Sequence, residues 1–76
     1  MENLVPYPKL RGRMVEKGIS QRELATILGI SVTAMSNKMR GVVGFSQSDI
    51  VKICETLDIA LNDIGSYFYA NKVYVS

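Results

Sequence analysis

The side chains in this chain that can do chemistry are few in kind. Among 76 residues there is no histidine and one cysteine, Cys54. A reactive thiol needs a neighbour that lowers its pKa, and with no imidazole to activate it Cys54 reads as a small core residue. One cysteine forms no internal disulfide, and without histidine the usual zinc donor set is missing. The seven acidic residues are scattered with no motif pairing two of them, and no glycine-rich phosphate loop is present. An enzyme is therefore not expected, and no cofactor or metal is implied. What is concentrated is positive charge. Residues 9–40 hold Lys9, Arg11, Arg13, Lys17, Arg22, Lys38 and Arg40 against Glu16 and Glu23, whereas residues 41–76 hold Lys52 and Lys72 against Asp49, Glu55, Asp58 and Asp63. The net charge of +2 hides this division. A cationic half is the pattern expected where one face meets phosphates.

The elements that must position these charges are short helices. Ser20 followed by Glu23 forms a capping box, and Ile19 with Leu24 occupies the hydrophobic-staple positions around it. Leu24, Ala25, Ile27 and Leu28 supply an apolar face, and Gly29 follows where a left-handed cap ends helices. Ser31 caps a further helix in which Met35 and Met39 point inward, closed by Gly41. These signals predict helices over about 20–28 and 31–40, joined by a turn of about three residues, as in a helix-turn-helix. Pro8, Leu10 and Met14 predict a first helix over about 8–17, ended near Gly18. Gly12 within it fits either a close backbone approach or simple tolerance. Phe45 and Ile50 staple a second capping-box start, Ser46 with Asp49, of a fourth helix over about 46–57, with Ile50, Ile53, Cys54 and Leu57 inward. A short fifth helix over about 61–66 closes the bundle through Leu61 and Ile64, although Ala60 is a poor cap for it. The expected fold is thus all-α with five helices.

The set Ser20-Gln21-x-Glu23-Leu24-Ala25, Gly29-Ile30-Ser31 and Arg40-Gly41 resembles the phage repressor and Cro-type (XRE-like) helix-turn-helix family over roughly residues 8–66. The resemblance implies a lambda-repressor-like bundle that binds double-stranded DNA as a transcriptional regulator, with its third helix in the major groove. Carried onto this chain, the base-reading residues are Val32, Thr33, Ser36 and Asn37. An asparagine can make paired hydrogen bonds to adenine, hydroxyls serve several bases, and valine meets a thymine methyl. Phosphate contacts fall to Gln21 at the start of the second helix, and to Arg22, Lys38, Arg40, Arg11 and Arg13 around it. One module covers few base pairs, so a homodimer on a pseudo-palindromic operator is expected. The alternative reading of the same bundle is an antitoxin or antirepressor-like protein-interaction module.

A chain this short makes one domain, near the lower limit for a core without disulfides or metal. No stretch approaches the roughly 20 apolar residues of a membrane span, and residues 1–8 lack a basic signal-peptide start, so a cytoplasmic location is the default. Residues 1–66 form the expected DNA-binding domain and 67–76 an extended tail. Tyr67, Phe68, Tyr69, Val73, Tyr74 and Val75 give that tail aromatic and β-branched character. Its strand would pair with itself around Asn71-Lys72, with Leu4-Val5, or with a second subunit. The last is the dimerisation mode that the resemblance implies. Val42 and Val43, where relatives have a polar loop, are candidates for a subunit contact.

Overall fold

The computed structural model describes residues 5–69. Four α-helices, α1 (Pro8–Lys17), α2 (Gln21–Leu28), α3 (Val32–Met39) and α4 (Gln47–Leu57), are followed by a 3-10 turn (Leu61–Asp63) and a wider π turn (Gly65–Tyr69), which together hold the fifth helical place. No strand occurs among the described residues. The regular structure of the described residues is all-helical, as the capping signals of α2, α3 and α4 predict.

Each start follows from a local hydrogen bond. Ser20 and Ser46 accept from the backbone amides of Glu23 and Asp49, whose carboxylates accept in turn from the amides of Ser20 and Ser46. Ser31 caps α3 through the amide of Ala34. The fifth element has no such help: Ala60 supplies no side-chain cap, and the segment opens as a 3-10 turn.

The helix ends share a design. At Gly18, Gly29 and Gly41 the backbone turns left-handed, and the next residue donates its amide back into the last helical turn. These paired bonds satisfy carbonyls that the helix leaves open. Asp58 adopts the same conformation after α4 without being glycine. Ile19, Ile30 and Ile59, which follow three of these turns, fold onto the core. Val42, which follows the fourth, is 63% exposed. Gly12 has open space where a Cβ would sit, so simple tolerance describes it.

The core is built from Leu10, Leu24, Met35, Met39, Ile53 and Leu57, all fully enclosed, with Cys54 buried beside them. α2 lies against α3 and α4, and α1 lies against α4 and the π turn. Tyr7 precedes Pro8, where extended backbone is usual, yet it is left-handed and its ring is buried. That ring meets Phe45 edge-on at 5.2 Å, and Phe45 meets Phe68 in the same way at 5.4 Å. Here the structure corrects the expected tail. Tyr67, Phe68 and Tyr69 are helical, because burying Phe68 against Phe45 and seating Tyr67 under the Lys9 ammonium outweigh their β propensity. Phe68 fills its own domain's core and is closed to a partner. The expectations for Val73, Tyr74 and Val75 lie outside the described residues.

Candidate nucleic-acid interface

α3 presents two unlike faces. Met35 and Met39 are wholly buried on one, while Val32, Thr33, Ser36, Asn37 and Arg40 follow one another at helical spacing on the other. Val32, Thr33 and Arg40 are exposed, and Ser36 and Asn37 are half-buried. Arg40 Nη1 donates to Asn37 Oδ1 at 3.0 Å. That bond holds the amide plane and leaves its NH₂ group and one oxygen lone pair free. Apart from Val32 the row is polar, and it is cationic at its end.

The start of α2 adds an anion-favouring element. Glu23 is turned back onto the Ser20 amide, and the amides of Gln21 and Arg22 have no acceptor among the described residues. Exposed amides and the helix dipole favour a phosphate there, with the Gln21 amide and the exposed Arg22 guanidinium beside it.

The five other cations of residues 9–40 are used internally. Arg11 donates through Nε to the Pro6 carbonyl and through Nη2 to the Met39 carbonyl, both at 2.8 Å. Arg13 donates to the carbonyls of Leu57 and Asp58, also at 2.8 Å, and pairs with Glu16. These two arginines therefore close the C-terminal ends of α3 and α4. Lys17 pairs with Asp58 at 3.0 Å, and Lys9 lies 4.9 Å from the Tyr67 ring centre. Lys38 reaches Asp49 Oδ2 at 3.0 Å and donates to the Gly44 carbonyl at 3.1 Å. Of the basic residues expected at phosphates, Arg22 and Arg40 keep outward guanidinium groups. Lys38, Arg11 and Arg13 are spent on the chain's own acceptors.

Electrostatics follow these pairings. Burial pushes the Asp49 carboxyl up, but hydrogen bonds from Lys38 and Ser46 outweigh it and hold the group below its ordinary value. The Lys17 hydrogen bond and charge hold Asp58 low as well. Burial raises the Cys54 thiol and, with Tyr69 nearby, the Tyr7 hydroxyl. Among the described residues no three potential metal ligands come together. None of the described helices is long and apolar enough to cross a membrane.

The model of a protein family described as "Protein of unknown function (DUF739)" matches residues 5–71. The chain belongs to that family. The match takes in all of α1 to α4 and both closing turns. No curated protein matches this DUF739 chain. Two features of the domain carry no sequence signal: the capping roles of Arg11 and Arg13, and the link from Lys38 to Asp49.

Proposed function

We propose that this DUF739 chain is a sequence-specific double-stranded DNA-binding transcriptional regulator of the phage repressor and Cro type, reading a pseudo-palindromic operator as a homodimer. The observation that carries the reading is the two-faced α3. Its Met35 and Met39 side is locked in the core, its Val32, Thr33, Ser36, Asn37 and Arg40 side keeps access to solvent, and the capped α2 packs against it. A helix offered in this way can enter the major groove, roughly 12 Å wide, while the N-terminus of α2 rests on a phosphate.

Asn37 supplies the paired donor and acceptor that match adenine, held in plane by Arg40. Thr33 and Ser36 offer hydroxyls to neighbouring bases, and Val32 meets a thymine methyl. Gln21, Arg22 and Arg40 take the phosphates and fix register. The domain measures 34 × 28 × 23 Å. Two abutting copies of that size suit half-sites about 34 Å apart. Repression by occupying the site needs no further part.

Gel shifts against genomic fragments, with sizing of the free and bound protein, test the proposal. A discrete shift with two chains per duplex supports it. Binding that ignores sequence at every salt concentration would falsify it, and capture of another protein without DNA would favour the interaction-module alternative.

A further inference from the structure

We infer that Lys38 is a positioning residue rather than a phosphate ligand: through Asp49 and the Gly44 carbonyl it fixes how α3 is presented to DNA. The inference rests on the function proposed above and assigns its geometry to a pair outside the reading face.

Lys38 lies in the last turn of α3, between the inward Met35 and Met39 and the outward Asn37. Its ammonium meets Asp49 Oδ2 at 3.0 Å, donates to the Gly44 carbonyl at 3.1 Å, and lies 5.9 Å from the centre of the Phe45 ring. The two charged side chains retain only 15% and 14% of their accessible surface. A lysine so enclosed has little freedom to turn to a phosphate. The same Asp49 oxygen accepts from the Ser46 amide, so a capping-box bond at the start of α4 and the ion pair converge on one atom. The connection from Arg40 to Ser46 is thereby tied at Gly44 and Ser46. At its other end the amides of Val42 and Val43 both donate to the Asn37 carbonyl, at 3.0 and 3.4 Å. The backbone of Asn37, the residue best suited to read a base, is the anchor of the loop that Lys38 holds. Loosening the pair loosens the register of Asn37.

Opposite signs separate the two roles. Asp49→Asn keeps an oxygen for the Ser46 amide, removes one negative charge and frees the Lys38 ammonium. If Lys38 positions α3, Asp49→Asn lowers the ratio of operator to random-duplex affinity by about threefold or more, despite the more positive chain, and Lys38→Met lowers it without changing the salt slope. Adding Lys38→Met to Asp49→Asn then costs little more, since residues of one network are non-additive. Lys38→Arg restores part of the ratio. In the free protein, amide exchange of Val42 and Val43 quickens in both single variants and is unchanged in Arg22→Ala. The inference is overturned if Asp49→Asn tightens binding and steepens the salt slope, or if Lys38→Met flattens that slope by about 0.9 per phosphate lost. Unchanged Val42 and Val43 exchange in both single variants overturns it too, whatever DNA does. Failure of the unmodified chain to bind any duplex is the distinct signature of failure of the proposed function, and takes this role with it.

Discussion

The Arg11 guanidinium crosses from α1 to the end of α3 and donates to the Met39 carbonyl at 2.8 Å. A side chain 28 residues away thus does what a local cap does elsewhere in the bundle. Arg13 repeats the arrangement for α4, at separations of 44 and 45 residues.

Truncating either arginine should therefore act on stability. Arg11→Ala leaves part-buried carbonyls without their donor, at a cost of about 1–3 kcal/mol. For a domain of this size each kcal/mol lowers Tm by about 4–8 °C. Thermal and urea melts check this. Operator binding at a temperature where the variant is fully folded should keep its salt slope.

That slope is itself diagnostic. If Arg22 and Arg40 are the cations of each protomer that meet DNA, a dimer neutralises about four phosphates, and log affinity should fall against log salt with a slope near −4. Arg22→Ala should flatten it by about 2 per dimer and weaken all sequences alike. A slope near −8 would show that the internally bonded cations also reach DNA.

Sequence preference should follow Asn37. Asn37→Ala is expected to lose about 1–3 kcal/mol of discrimination at one base position per half-site. Arg40→Ala should lose part of it at the same position, through the freed amide. Binding-site selection on each variant measures this, and an unaltered preference in Asn37→Ala would remove that residue from the reading face.

Acid should weaken the fold in a defined window. Asp49 and Asp58 are held below their ordinary value in the folded chain, so their stabilisation is complete above the unfolded carboxylate value of about 4 and is lost as pH falls through the lower folded one. Urea melts from pH 6 downward should show stability declining below about pH 4. Asp49→Asn should make that decline shallower; an identical decline would mean the carboxylate is not held low.

How much of this was legible depended on distance along the chain. Ser20 with Glu23, Ser46 with Asp49, and Gly29 announce helix ends because cap and partner lie three or four residues apart, and each appears where expected. Arg11, Arg13 and Lys38 read only as positive charge, because their acceptors are backbone carbonyls or a carboxylate in another helix, and carbonyls carry no residue identity. Asp58 gave no sign of its left-handed turn, since the sequence signal for that turn is glycine. Phe68 misled for another reason: its intrinsic preference is for strand, and tertiary burial overrode it. The outward row on α3 was legible as a set, but the bond between Arg40 and Asn37 was not.

Arg11 also binds the Pro6 carbonyl, and Gly41 lies against the Pro6 ring. Pro6 therefore lies beside the end of α3, and on the proposed function a bulky group attached at Val5 would obstruct DNA while a small dye there would report it. Val5 is exposed and Cys54 is enclosed, so a thiol introduced by Val5→Cys is open to labelling where the native one is shielded. Position 5 thus offers an attachment point for a fluorescent reporter that would follow DNA occupancy if α3 enters the groove.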